Sequence, residues 1–234
     1  MGHKSWFVPR MWKDGECWII GGGMSFPRQF GIPAEIIEKV LRQELPISSY
    51  SDWMKPIHDR HVIGTNIAFK LGHWLSAVYF CDKAFFFANR RELINFQNLK
   101  VTDANNMPIK FRYDSFNIKR MRRDQNKTGL SKDRDMISWN GNAGGGAINL
   151  AVHAGVKRIL LLGYDMKPDE LGRTHWHAGE INYHKPTNQA TFDRFIKYYD
   201  EINKSCNKLG VEVLNVNPDS AIEVFKKVKL EEVL

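Results

Sequence analysis

The sequence predicts an α/β protein: a mostly parallel β-sheet with helices on both faces. Two patterns carry this prediction: short apolar runs without polar alternation, and segments with helical spacing between them. Strands that are buried on both faces form continuous apolar runs, and parallel strands need a crossover, usually a helix, to join them. The chain has 234 residues, of which 43% are hydrophobic, which is enough to bury the core of one such domain. We therefore predict a single α/β domain over residues 1–234.

Five apolar, β-rich runs are the predicted strands. They are Cys17–Gly22, His61–Asn66, Ala77–Asp82, Arg158–Asp165 and Val211–Val216. Four segments have the spacing of helices: Pro33–Leu45, Lys83–Phe96, Gly145–Gly155 and Thr187–Leu209. The last is the clearest, because its apolar residues recur at helical spacing until Gly210, a residue type that commonly ends helices. This alternation predicts right-handed crossovers between neighbouring strands.

Residues 103–135 break the alternation, because they are polar, basic and only weakly periodic. Within them, Lys110–Asp135 holds nine Lys and Arg against four Asp, a net charge of +5 out of +8 for the chain. A loop of this length inside a compact domain is usually functional or disordered. We predict an inserted basic arm or lid that covers a ligand or attracts an anionic partner. A solvated surface insertion is the alternative.

Small and polar residues follow the predicted strands where the strands end. In open parallel sheets, ligands bind beyond the carboxyl ends of the strands. Glycine lets backbone N–H groups approach a ligand closely, and a helix N-terminus favours an anion such as phosphate. Two glycine-rich turns before helices therefore favour a phosphate-containing ligand such as a nucleotide. The candidate binding residues are Gly21, Gly22, Gly23, Ser25, Asn66, Asp82, Asn142, Gly144, Gly145, Tyr164 and Asp165.

Simpler explanations exist for several of these residues. The first glycine turn is neither a dinucleotide fingerprint, because Phe26 replaces the third glycine, nor a P-loop, so a plain tight turn is the alternative. Asn66 and Asn142 suit a ribose, a base edge or a phosphate, but either side chain could instead cap a helix. Asp82 and Asp165 could hold a divalent cation or a sugar hydroxyl, or cap helices.

Three of the eight histidines lie in one short stretch, Arg173–His184. A single imidazole near an acceptor hydroxyl can remove its proton when the imidazole pKa is close to the working pH. The candidate catalytic residues are therefore His175, His177 and His184. His175 and His177 point the same way if this stretch is extended. A site for zinc or another transition metal, completed by His184 and by Asp165 or Glu180, is therefore one alternative. A histidine-rich surface loop is another.

The arrangement resembles the bacterial sialyltransferase type of fold, a Rossmann-like parallel sheet. The matching motifs are Gly-Gly-Gly-Met-Ser at Gly21–Ser25, Asn66, the Asn-Ala-Gly helix start at Asn142, and the run Gly155–Met166. The superfamily also includes an archaeal hydroxymethyldihydropterin pyrophosphokinase. The chain is most similar to phage members of the group, which share "YFCD", "LLGYDM", "THWH" and a final "N-x-x-P-x-S-A". The similarity spans Cys17–Leu234 apart from the basic arm.

This resemblance implies a glycosyltransferase that takes a sugar from a nucleotide-sugar donor, with a hydroxyl group as acceptor. The lipooligosaccharide sialyltransferases of this class use CMP-sialic acid, so a CMP-linked donor is one candidate. By position, the general-base histidine of the family corresponds to His184, while Gly21–Ser25, Asn66 and the helix start at Asn142 correspond to residues that face the nucleotide. Two departures weaken the match: Ala143 replaces a serine, and Tyr164 lies inside the Gly-x-Asp motif rather than after it. The transfer in this family is metal-independent, so no metal cofactor is expected.

Two other functions remain open from the residues. A phosphoryl or pyrophosphoryl transferase would use ATP and Mg²⁺ held by Asp82 and Asp165, and a nucleic-acid-binding protein would use the arm from Lys110 to Arg134. No apolar run approaches the roughly 20 residues of a membrane helix, and the start lacks the hydrophobic core of a signal peptide. The three cysteines are odd in number and far apart in the sequence, so we expect a cytoplasmic protein without disulfides.

Overall fold

The computed structural model describes residues 5–105, 107–108, 111–177 and 187–234. These residues form ten strands and five α-helices. The strands are β1 (Glu16–Ile20), β2 (Val62–Thr65), β3 (Ala77–Phe80), β4 (Leu99–Thr102), β5 (Ile118–Arg120), β6 (Arg122–Asp124), β7 (Met136–Ser138), β8 (Arg158–Leu162), β9 (Glu212–Asn215) and β10 (Lys226–Lys227). The α-helices are α1 (Ser25–Gln29), α2 (Ala34–Leu41), α3 (Lys83–Leu93), α4 (Ala143–Ala154) and α5 (Gln189–Lys208), and 3₁₀ helices span Ile47–Ile57, Asn66–Leu71, Tyr113–Phe116 and Leu230–Glu232.

Eight strands form one sheet in the order β10-β9-β8-β1-β2-β3-β4-β5, and β6 pairs with β7 separately. Every strand pair in the part of the chain that the structure describes is parallel. In register, Trp18 of β1 lies between Val62 of β2 and Leu160 of β8. The chain runs outward from β1 to β5 and then returns to the opposite side of β1 as β8. The connections that follow β1 and β8 therefore diverge, which makes this point the topological switch of the sheet.

The side chains of β1 alternate between two apolar cores, one on each face of the sheet. Trp18 and Ile20 belong to the core that also holds residues of α2, α3 and the 3₁₀ helix Ile47–Ile57. Cys17 and Ile19 belong to the core formed with α4 and α5. This two-sided burial is the reason that the strands read as continuous apolar runs. The predicted fold class, an α/β fold with a mostly parallel sheet and helices on both faces, is confirmed.

Residues 103–135, predicted as an inserted basic arm or lid, contribute regular structure to the domain. Their strand β5 pairs with β4 at the edge of the main sheet, and β6 pairs with β7. The sequence pattern is weakly periodic because β5 and β6 have only three residues each. That this segment moves as a lid stays a prediction.

Three short strands of the main sheet, β4, β5 and β10, were not predicted. In β4, Lys100 interrupts the apolar pattern, although its side chain is buried and donates to the carbonyl oxygen of Phe96 at 2.5 Å. All three cysteines are buried and free. Over the described residues, no helix combines the length and the apolar character that crossing a membrane requires.

Candidate functional site

A cleft of about 690 Å³ opens at the carboxyl ends of the strands, beside the switch point. Its walls come from the turns after β1, β2, β3 and β8, the start of α4 and the first turns of α5. It brings together eleven of the fourteen candidate residues: Gly21, Gly22, Gly23, Asn66, Asp82, Asn142, Gly144, Tyr164, Asp165, His175 and His177. Ser25 and Gly145 lie nearby but do not line the cleft. His184 lies outside the described residues.

The glycine-rich turn after β1 lets three loops pack closely. A Cβ atom on Gly21 would lie 2.8 Å from the carbonyl oxygen of Gly163, and one on Gly22 would lie 2.6 Å from Cδ2 of His175. A Cβ atom on Gly23 would collide with the carboxyl group of Asp165. These glycines are thus required by the approach of neighbouring protein groups, whether or not the turn also contacts a ligand.

Asp165 is bound by donors from two other loops. Its carboxylate accepts the backbone N–H of Ser25 at 2.8 Å, the Ser25 hydroxyl at 2.5 Å, and the side-chain amide of Asn217 at 2.8 Å. Burial raises the pKa of Asp165, against the opposing effect of these hydrogen bonds. Three donors leave little lone-pair capacity for a cation or a sugar hydroxyl. Ser25 and Asp165 therefore join the turns after β1 and β8.

The carboxylate of Asp82, unlike that of Asp165, has few hydrogen-bond partners in the described part of the chain. Asp82 stands at the N-terminus of α3 but makes no side-chain capping bond. The one polar partner of its carboxylate within the described residues is the Cys81 thiol, at 3.6 Å. Because Asp82 is half-buried and lines the cleft, its carboxylate is available to a ligand.

Asn142 caps α4, as the alternative interpretation held. Its Oδ1 accepts the backbone N–H of Gly145 at 2.9 Å and the Tyr199 hydroxyl at 3.1 Å, and its Nδ2 donates to the carbonyl oxygen of Asn140 at 2.9 Å. Ala143 and Gly144 line the cleft at this helix start, where the first backbone N–H groups of a helix have no intrahelical partner. Gly145 instead packs against Asn140, where an added Cβ atom would lie 2.7 Å from the Cβ atom of Asn140.

Asn66 adopts a left-handed backbone conformation with φ of +49° at the end of β2. Its Oδ1 atom is buried and has no hydrogen-bond partner among the described residues. A buried amide oxygen without a donor costs about 1–3 kcal/mol. Since Asn66 also lines the cleft, a ligand that supplies a donor would remove this cost.

Trp176 fixes the histidine segment to the glycine-rich turn. Its backbone N–H donates to the carbonyl oxygen of Gly22 at 3.1 Å, and its indole Nε1–H donates to that of Gly21 at 2.8 Å. The indole is fully buried. As a result His175 and His177, on either side of it, both line the cleft, with ring centroids 5.3 Å apart.

The two histidines differ in environment. His177 is 4% exposed, and burial together with the neighbouring His175 lowers its pKa well below the usual value. Its Nδ1 has no hydrogen-bond partner within the described residues. His175 is half-buried, and its Nδ1 lies 2.8 Å from the Thr174 hydroxyl, which orients the ring. His175 is therefore better placed than His177 to exchange a proton with a ligand.

Four aromatic residues of the cleft, Trp139, Phe192, Phe195 and Tyr199, were not identified as site residues from the sequence. In the sequence, Phe192 and Phe195 belong to the apolar face of the predicted helix, and in the structure they line the cleft. Helical periodicity alone does not distinguish residues that face the core from residues that line a cleft. Trp139 precedes the Asn140-Gly141 turn and carried no pattern of its own. Within the described residues, no group of three or more His, Cys, Asp and Glu is arranged to hold a metal ion. Two of the ligands considered for the alternative metal site, Glu180 and His184, lie outside those residues.

Comparisons of the chain with protein-family models, curated proteins and solved structures found no match. The resemblance to the sialyltransferase type therefore stays a hypothesis.

Proposed function

We propose that this chain is a glycosyltransferase that binds a nucleotide-sugar donor in the cleft and transfers the sugar to a hydroxyl acceptor. One observation carries the proposal: at the switch point, one cleft is bordered by the glycine-rich turn after β1, the N-terminus of α4 and His175. Its volume of about 690 Å³ lies within the range of small-molecule and cofactor sites.

Free buried cysteines accord with a reducing compartment, so the proposal includes a cytoplasmic location.

The start of α4 supports a phosphate subsite. The first N–H groups of a helix have no intrahelical partner, and the helix dipole adds positive potential at this end. Here Ala143 and Gly144, the first two residues of α4, line the cleft, while Asn142 satisfies the N–H of Gly145. A diphosphate or monophosphate bound there would carry the developing charge of the leaving nucleotide.

His175 is the general base of this proposal. Its imidazole removes the proton of the acceptor hydroxyl while that oxygen bonds to the anomeric carbon. The bond between the sugar and the nucleotide phosphate breaks, and its electron pair leaves with the phosphate. Thr174 orients the imidazole, as a third group orients the base in other acid–base sites. His184, the position that the resemblance implies, remains the second candidate for this role.

The other two functions receive less support from the contacts. A Mg²⁺ site on Asp82 and Asp165 would have to compete with the three donors that already bind Asp165. For nucleic-acid binding, part of the arm's charge is neutralised, since Arg122, Arg123 and Lys127 pair with Asp135, Asp103 and Asp124. The magnesium-dependent function stays a second candidate because Asp82 lines the cleft and its carboxylate is available to a cation.

The proposal is tested by incubating the protein with a panel of nucleotide sugars, with and without EDTA, and measuring the nucleotide released. We expect release with one donor class, unaffected by EDTA, and a loss of at least about a hundredfold in His175→Gln, in line with the usual contribution of a general base. His73→Gln, on an exposed loop, is the matched control and should keep full activity. Absence of both release and a donor-induced rise in melting temperature would overturn the proposal, and loss of release in EDTA would favour the magnesium function.

A further inference from the structure

One corner of the cleft is formed by Asp82 and Trp139, with Arg123 behind both. The Arg123 guanidinium donates through Nη2 to the carbonyl oxygen of Cys81 at 2.6 Å, directly before Asp82. The Cζ atom of Arg123 also lies 4.1 Å from the centroid of the Trp139 ring. Because one guanidinium contacts both, the Cys81–Asp82 turn and the indole are neighbours in this corner.

Arg123 is itself held rigidly. It donates to both carboxylate oxygens of Asp103, at 2.9 and 3.1 Å, and Asp103 also accepts the Tyr79 hydroxyl at 2.7 Å. The side chains of Arg123 and Asp103 are 8% and 0% exposed. Arg123 therefore supports the corner from behind, and its charge is already paired.

Trp139 offers a stacking surface to a planar ligand. Arg123 stacks on the indole, which is half-buried and borders the cleft. Aromatic side chains of this kind stack on nucleobases because every base has a π-face. Stacking alone does not distinguish one base from another, so selectivity has to come from the polar group beside the indole.

Asp82 supplies that selectivity, because an ionised carboxylate only accepts hydrogen bonds. Guanine presents two adjacent donors, N1–H and the N2 amino group, which match the two carboxylate oxygens. The pairing edges of adenine and cytosine place an acceptor nitrogen beside the amino group, and uracil flanks its single N3–H with two carbonyl oxygens. Each of these three would set a lone pair against the carboxylate.

We propose that this corner is a base subsite for a guanine nucleotide, with stacking on Trp139, two hydrogen bonds to Asp82, and Arg123 as the positioning residue for both. The inference rests on the nucleotide binding proposed above and deepens it by naming the base.

The test is isothermal titration calorimetry of the whole chain with GDP, IDP, ADP, CDP and UDP. GDP should bind most tightly. IDP, which lacks the N2 amino group, should bind about tenfold more weakly, because one of two hydrogen bonds to the base edge is lost. Asp82→Asn should lower the GDP affinity by about tenfold or more and abolish the preference for GDP over IDP. Asp82 has no structural partner besides the Cys81 thiol among the described residues, so this variant should fold normally.

Arg123→Lys tests the positioning role, with Arg122→Lys as the matched control. Arg122 is adjacent in sequence but pairs with Asp135 away from the corner. The Arg123 variant should reduce both the GDP affinity and the GDP-to-IDP ratio, whereas the Arg122 variant should change neither.

The outcomes separate this inference from the proposed function. If CDP, UDP or ADP binds as tightly as GDP, or if Asp82→Asn leaves the preference intact, the guanine subsite is wrong while nucleotide binding stands. If GDP binds with the expected preference but no sugar nucleotide is turned over or raises the melting temperature, the glycosyltransferase proposal fails and the subsite survives. If no nucleotide binds, both are overturned.

Discussion

Burial gives His177 a pH dependence that the exposed loops do not share. Its pKa is lowered well below the usual 6.5 by burial and by the charge of His175. The unfolded chain gains a proton near pH 6.5 that the folded chain does not, so the stability that this group contributes is full above pH 6.5 and falls as the pH drops below it. The loss is at most about 1.4 kcal/mol per pH unit. The free energy of unfolding, measured by urea denaturation at pH 7.5, 6.5 and 5.5, should therefore fall less steeply with decreasing pH in His177→Leu than in the unmodified chain.

Other histidines also contribute to the pH dependence of stability. The test therefore compares how steeply the free energy of unfolding changes with pH, not its value at one pH. Burial lowers the pKa of His153 and of His58 as well, so the unmodified chain carries their contributions too, and the difference between the unmodified chain and His177→Leu isolates His177. His73→Gln, on the exposed surface, serves as the control and should retain the full slope. An unchanged slope in His177→Leu would show that His177 takes up a proton in the folded state.

At the scale of elements, α4 depends on its cap more than α5 does. Asn142 and Asn188 both accept the backbone N–H three residues later and one hydroxyl group, from Tyr199 and Thr191 respectively, but Asn142 is half-buried whereas Asn188 is exposed. Asn142→Ala should therefore lower the free energy of unfolding by about 2 kcal/mol, and Asn188→Ala by about 1 kcal/mol or less. Urea denaturation of both variants measures the difference. Equal losses would mean that the greater burial of the Asn142 cap adds no stability.

The glycines of α4 show how one sequence signal can have two structural causes. Glycine inside a helix costs about 1 kcal/mol relative to alanine, so a run of three needs a reason. The sequence suggested close contact with phosphate. Gly144 does line the cleft, but Gly145 makes room for Asn140, and a Cβ atom on Gly146 would collide with Tyr79. Periodicity and composition carry no information about these neighbours, because Tyr79 is far from α4 in sequence.

For the whole molecule, the buried pair of Asp103 and Arg123 integrates residues 103–135 into the domain. Asp103→Ala would leave Arg123 buried without a counter-charge and Tyr79 without its acceptor. We expect a loss of about 3–5 kcal/mol. Asp135→Ala, which removes the partner of the half-exposed Arg122, should cost less than about 1 kcal/mol. Thermal unfolding of both variants measures this.

A single cooperative transition at a lower temperature in Asp103→Ala would show that the segment unfolds with the sheet. A transition unchanged from the unmodified chain would show that residues 103–135 do not unfold together with the sheet.

Local sequence patterns determined the fold class, five strands of the main sheet and the edge at which the cleft opens. Continuous apolar runs report two-sided burial, and the carboxyl ends of parallel strands have to meet at one edge. Strand order and the choice of residues that face the cleft were decided by tertiary contacts. Asp82 and Asp165 carried the same signal, yet Asn217, 52 positions from Asp165, binds one of them and leaves the other available. Tertiary packing brings such a distant partner into hydrogen-bonding distance, and short-range periodicity in the sequence contains no information about it.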